Sequence, residues 1–206
     1  MSLIGILVIL GITLATNAFA TEKISKDCFR VQDISNWKAI DNKRLIVWSP
    51  TQSHPYLVTL MNRCPSLTFE QTLVFKTTLA RTCTNTKDTI FTEDMPCHIK
   101  SIQKIDKKRV DILFSAKNAL VIDVRSTEEW SEGHLSVAKH LEWKEINSKI
   151  EELTKDKNKT IMVYCRSGKR SEKAMKILKD LGYLKVINLG GMLEASKLLA
   201  SNIVKQ

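Results

Sequence analysis

The sequence predicts an α/β chain in two parts. A mostly parallel sheet flanked by helices is expected over residues 105–206, behind a small β-rich, disulfide-stabilised domain over residues 21–104. Three observations carry this expectation. From about Ile105 onward, short apolar runs of β-type residues alternate with amphipathic helical stretches, the pattern that builds open parallel sheets. Before that point the apolar runs are separated by turn-forming groups instead of helices. Four of the five cysteines, Cys28, Cys64, Cys83 and Cys97, lie in the first part. A hydrophobic content of 43% is that of a folded globular chain and excludes a disordered one.

The first twenty residues, "MSLIGILVILGITLATNAFA", stand apart. They carry no charged side chain, an apolar run from Leu3 to Ala15, and a small-residue ending at Ala18–Ala20 before the polar "TEKISKD". Residues 1–20 therefore read as a signal peptide cleaved after Ala20. The apolar run is short for a spanning helix, so no stable membrane anchor is expected after cleavage. A periplasmic or secreted location follows, and that compartment is oxidising. An even set of cysteines is expected to pair there, leaving Cys165 as the odd thiol.

In the first part, strands are expected at "RLIVW" (44–48), "YLVTL" (56–60), "TLVFKTT" (72–78) and "HIKSIQKI" (98–105). Trp37, Trp48 and Phe75 read as core residues. A domain this small has a modest core, which two disulfides would reinforce. Four cysteines allow three pairings, and the sequence does not choose among them. His54 and His98 with the four cysteines do not make a zinc site, because no pair has C-x2-C spacing; neither metal nor cofactor is expected. The pattern is similar to a family of small exported β domains with paired cysteines, a resemblance that implies no activity. Its role is left open by the sequence; under the carrier reading below it would recognise a protein partner.

In the second part, "KRVDILFSAKN" has helical spacing, "ALVIDVR" reads as a buried strand, and "STEEWSEGH" as a short helix capped by Ser126. A short strand is expected near "AKHLEW", then the amphipathic helix "WKEINSKIEELTKD" and the buried strand "KTIMVYC". "RSEKAMKILKDLGY" is a helix ending at Gly182, "KVINLG" a strand, and "MLEASKLLASNIV" a closing helix. The junction "KIDKKRVD" has neither Gly nor Pro and reads as a close connection. The net charge of +10 is scattered singly apart from "KKR" at 107–109, which favours a solvated surface and small anions over nucleic acid.

The densest chemistry is "YCRSGKRS", residues 164–171. Ligands of open parallel sheets bind beyond the carboxyl ends of the strands, and Cys165 sits at such an end. A loop leaving a strand and entering a helix turns successive N–H groups inward, at the positive end of the helix dipole. A thiol held there has its thiolate stabilised, and Arg166, Lys169 and Arg170 add positive potential. Gly168 allows the tight curvature. A buried structural cysteine would explain neither the cations nor the glycine, so Cys165 is read as a reactive thiolate.

Taken in order, "VIDVR" (121–125), "EEWSEGHL" (128–135), "VYCRSGKRS" (163–171) and "LGYLKVINLGGM" (181–192) make residues 105–206 resemble a single rhodanese (thiosulfate sulfurtransferase) domain. The resemblance implies that Cys165 carries a sulfane sulfur as a persulfide. The sulfur would come from a small anionic donor such as thiosulfate and pass to a nucleophilic acceptor, cyanide or a thiol. Arg166, Ser167, Gly168, Lys169, Arg170 and Ser171 match the family's anion-binding loop. Asp123, Arg125, Glu129 and His134 match positions that support it. Related phosphatases use a C-x5-R loop, whereas Cys165 to Arg170 is C-x4-R, which disfavours phosphatase chemistry. The sequence departs from the family at "LSVAKH", after the His134 turn, and at Met192, where a tryptophan is usual. A non-turnover sulfur carrier, or a partner-binding module on the same fold, is the competing reading. A redox sensor is disfavoured because the domain holds no second cysteine.

Overall fold

The computed structural model describes residues 27–77, 81–83, 88–92 and 95–205. The expected leader, residues 1–20 with the cleavage point read after Ala20, and residue 78 of the strand expected over 72–78, lie outside these residues.

The first part contains β1 (Cys28–Arg30), β2 (Asn36–Asp41), β3 (Arg44–Trp48), β4 (Pro55–Leu60), β5 (Val74–Lys76), β6 (Arg81–Cys83), β7 (Thr89–Phe91) and β8 (Pro96–Lys104). Among the described residues, six strands form one antiparallel sheet in the order β2-β3-β4-β8-β7-β5, and β1 pairs with β6. The expected strands are present, with β5 shorter than its apolar run. β1, β2, β6 and β7 were not expected, because "CFR", "NWKAID", "RTC" and "TIF" are short or interrupted by charge.

Side chains alternate across the sheet. Leu45, Val47, Val58, Leu60 and Ile102 build one core, with Trp37 and Phe75 packed at its edge. Ile46 and Leu57 face the other side, where Trp48 packs. Two disulfides, Cys28–Cys83 and Cys64–Cys97, select one of the three possible pairings. Each stabilises the fold by roughly 4 kcal/mol in the chain-entropy account, weighty for so small a domain. Oxidised in this way, the four cysteines offer no thiolates to a metal.

The second part runs α1 (Lys107–Ala116), β9 (Leu120–Asp123), α2 (Thr127–Glu132), β10 (His134–Leu135), β11 (Ala138–His140), α3 (Ile146–Leu153), β12 (Thr160–Cys165), α4 (Lys169–Asp180), β13 (Lys185–Gly191), α5 (Met192–Leu199) and β14 (Ile203–Val204). Strands β11-β9-β12-β13 form a four-stranded sheet in that order, and every pairing is parallel. Both faces are covered, so the strands read as continuous apolar runs. In β12, Ile161, Val163 and Cys165 face α3 and α4, while Met162 and Tyr164 face α1 and α5. Among the described residues, no helix is long and apolar enough to cross a membrane.

The ends follow local chemistry. Asp106 caps α1 by accepting the Arg109 N–H at 2.7 Å. Ser126 and Glu129 form a reciprocal capping box on α2. Gly182, at φ +87°, turns the chain out of α4, where the sequence ends that helix. The closing helix is shorter than expected: it stops at Leu199, where Ala200 adopts a left-handed φ of +49°. Residues 203–204 instead pair antiparallel with His134–Leu135. Met192, the first residue of α5, packs beside the core.

Helix α1 belongs to both parts. Val110 and Leu113, with Phe114, pack under Ile40, Ile46 and Leu57 of the first sheet. Ile112 and Ala116, one residue round the helix, pack against Val121, Met162 and Leu199 of the second. The junction is thus a shared core element, which fixes the two parts against each other.

Candidate active site

β12 delivers Cys165 to the carboxyl edge of the parallel sheet, and the chain turns through Gly168, at φ +91°, into α4. Cys165 is a free cysteine and is fully buried. The Gly168 N–H donates to its Sγ at 3.1 Å. The Ser171 hydroxyl lies 3.6 Å from Sγ and 2.9 Å from the Gly168 carbonyl; its single proton can serve only one at a time. Burial pushes the thiol pKa up. The Ser171 N–H and hydroxyl, with the N–H groups of Ser167 and Gly168, outweigh that and hold it below the ordinary thiol value.

The pH dependence follows. A pKa depressed by folding favours the thiolate, so its contribution to stability is present above the unfolded value of about 8.5 and lost as pH falls through the folded value. Alkylation of Cys165 by iodoacetamide is expected to keep its rate to lower pH than the same cysteine in the unfolded chain. Coincident profiles would show that the loop does not activate it.

Around the sulfur, Arg166, Ser167 and Lys169 are exposed at the rim, and Ser171 is buried. Arg170 is held by Glu129 through two hydrogen bonds of 2.5 and 2.8 Å. Its pKa is raised, first by the hydrogen bond to Glu129 and then by the charges of that carboxylate and of Cys165. The Arg170 hydrogen bond in turn lowers Glu129 to about 2. Their link supports the fold fully above about pH 4.5 and is lost as pH falls toward 2. Glu129 therefore touches the loop directly, and Arg170 brings less unopposed charge to it than the sequence alone implies.

Asp123 and Arg125 lie beneath. Asp123 is fully buried and accepts two hydrogen bonds from Arg125 Nε at 3.0 Å and one from Nη2 at 2.7 Å. Arg125 Nη2 also donates to the Gly133 carbonyl at 2.6 Å. Burial lowers the pKa of this guanidinium, but the Asp123 hydrogen bond and charge carry it above its ordinary value. Tyr164, pushed up by burial, accepts the Leu135 N–H on its hydroxyl at 3.0 Å. His134 stacks on Trp130 with ring centroids 3.5 Å apart, and its Nδ1 lies 3.1 Å from the Trp130 carbonyl. The sequence-predicted set thus divides into the loop with Glu129, an ion pair below it, and His134 packed against Trp130.

Sequence reasoning missed the wall behind the loop. The β12–β13 register shifts between Val163 and Cys165, so β13 steps aside at Leu189–Gly190. Asn188 Oδ1 accepts the Gly190 N–H at 2.9 Å, and its Nδ2 reaches the Gly168 carbonyl at 3.5 Å. A Cβ on Gly191 would lie 2.9 Å from the Arg166 carbonyl oxygen. The signal was available: two adjacent glycines end a strand at the same sheet edge as Cys165. Gly191→Ala is expected to lower the reactivity of Cys165 by roughly tenfold to a hundredfold through displacement of the loop. The stability cost should be only about 1–3 kcal/mol. The rate of alkylation by iodoacetamide beside a melting curve would check both.

Residues 106–197 match the rhodanese-like domain, and residues 3–119 match a family of unknown function (DUF6491). The thiosulfate sulfurtransferase PspE of Escherichia coli (strain K12) is 39% identical over 71 residues, covering 34% of this chain and 68% of that protein. The chain belongs to the rhodanese family, and its first half to DUF6491. The two matches overlap at 106–119, which contains α1, the helix that both halves share. A protein of Bacillus subtilis (strain 168) named as a candidate sulfur carrier, YrkF, is 35% identical over 83 residues, covering 40% of this chain and 42% of that protein. A solved rhodanese from E. coli, with anions, has 36% sequence identity and a TM-score of 0.39, covering 43% of this chain and 99% of its own. Sulfur transfer is the general activity of such rhodanese relatives.

Proposed function

We propose that this rhodanese takes sulfane sulfur from thiosulfate, or a similar small anionic donor, onto Cys165 and passes it to cyanide or a thiol. The observation that carries this reading is the Cys165 sulfur at the end of β12, accepting the Gly168 N–H at 3.1 Å and lying 3.6 Å from the Ser171 hydroxyl, a setting that lowers its pKa. In the first step the thiolate attacks the outer sulfur of thiosulfate. A new S–S bond forms, the donor's S–S bond breaks, and sulfite leaves with the electron pair. In the second, the acceptor attacks the outer persulfide sulfur and Cys165 departs as the thiolate. Cyanide becomes thiocyanate; a thiolate becomes a persulfide. Both steps pass through negative charge on sulfur, which the inward N–H groups and Arg170 stabilise. Arg166 and Lys169, exposed at the rim, draw in the anion.

The leader supports an exported, periplasmic or secreted enzyme, and the disulfides of the first domain suit that compartment. That domain would recognise a protein partner. A non-turnover carrier is the second reading, favoured by the likeness to the candidate carrier YrkF. Thiocyanate production separates the two: many turnovers per Cys165 with thiosulfate and cyanide support the enzyme, and a single stoichiometric release supports the carrier.

A further inference from the structure

A cleft of about 760 Å³ opens where the two domains meet. On the side of the first sheet that faces α1, Ile46 and Leu57 are covered by that helix. One step along the same strands, Arg44 on β3 and Thr59 on β4 are cross-strand partners, and both line the cleft. On the next strand the pairing slips: Thr59 faces Ser101 and Leu60 faces Ile99, leaving Lys100 as the extra residue of a bulge. A bulge re-aims a side chain, and Lys100 lines the cleft beside that row. Lys43 from the β2–β3 turn, Arg63, and Lys117 at the end of α1 extend the positive lining.

The wall is held in place. Arg44 Nε and Nη2 each lie 2.7 Å from Asp41 Oδ2, and Nη1 donates to the Leu199 carbonyl across the domain junction at 2.7 Å. Leu199 precedes Ala200, whose left-handed backbone is unusual for a residue with a side chain. Asp41 is the only acid among the described lining residues, and Arg44 answers its charge. Lys43, Arg63, Lys100 and Lys117 form no ion pair among the described residues. Four unanswered cations in one concavity repel each other and focus a positive potential into it.

We propose that this cleft binds a small multivalent oxyanion, a ligand carrying phosphate or sulfate groups, at a site separate from the sulfur-transfer loop. Lys117 precedes β9 and Ser136 precedes β11, so the cleft lies at the amino-terminal edge of the parallel strands, whereas Cys165 ends β12 at the carboxyl edge. The volume is that of a small-ligand site. No aromatic residue is among the described lining, so there is no stacking platform for nucleic-acid bases. Ser136 and Asn202 supply polar groups from the rhodanese side.

The test is titration calorimetry on the full chain with inorganic pyrophosphate and, separately, sulfate, with ionic strength held constant by chloride. Saturable binding of either is expected, weakened at least about tenfold in Lys43→Gln/Lys100→Gln through loss of charge-assisted contacts. Sulfur loading of Cys165 should be unchanged in that variant. Equal affinity in the variant would place the anion elsewhere, including the Cys165 loop, and overturn the proposal. So would the absence of saturable binding, or binding of polyglutamate alone, which would indicate an acidic protein partner.

Discussion

Replacing Cys165 with serine is expected to abolish sulfur transfer while leaving the fold in place. The substitution changes one atom at a fully buried position whose neighbours are N–H donors and the Ser171 hydroxyl. Those donors can hydrogen-bond a serine oxygen, so packing survives. A serine hydroxyl is not ionised at neutral pH and cannot carry sulfane sulfur in place of a persulfide. Losing a covalent nucleophile costs on the order of 10⁴-fold in turnover or more. Thiocyanate formation measured beside the melting temperature tests this. Residual turnover within about tenfold of wild type would mean that the sulfur passes through another group.

The second large effect is on stability. Asp123→Asn should destabilise the protein by about 3–5 kcal/mol, because it leaves Arg125 as a buried charge without its carboxylate. Asp123 is fully buried, and Arg125 is only 5% exposed. The guanidinium also donates to the Gly133 carbonyl, and Asp123 Oδ1 accepts the Arg125 backbone N–H at 3.0 Å. The damage should therefore reach the turn between α2 and β10 as well as the floor of the site. Denaturant unfolding measures it. A change under about 1 kcal/mol would show that water or a shifted side chain already answers the Arg125 charge.

How far these features were legible depends on how local their causes are. The loop at Cys165 was legible because its cause is contiguous: a buried strand, then a glycine and cations at the start of an amphipathic helix. The capping box of Ser126 and Glu129 is equally local, and only its first half was read. Glu129's grip on Arg170 was not legible, because α2 and α4 lie 41 residues apart in sequence at that contact. The disulfide pairing stayed open because it depends on which strands lie side by side: Cys28 faces Cys83 across β1 and β6, and both strands are too short to carry a pattern. Helix α1 reads as amphipathic, but it has two apolar stripes, and its pattern alone does not say what each covers. The cleft draws Arg44, Lys100 and Asn202 from distant segments, so no run of sequence announces it. At the carboxyl end, helix propensity continues past Leu199, but pairing of Ile203 with Leu135 overrides it.

The most direct measurement is the intact mass of the protein after exposure to thiosulfate, with Cys165→Ser as control. The account predicts a gain of one sulfur, about 32 Da, that is removed by cyanide and absent in the control. A wild-type protein whose Cys165 is shown to be a free thiol, yet which gains no mass, would contradict sulfur transfer from thiosulfate through this residue.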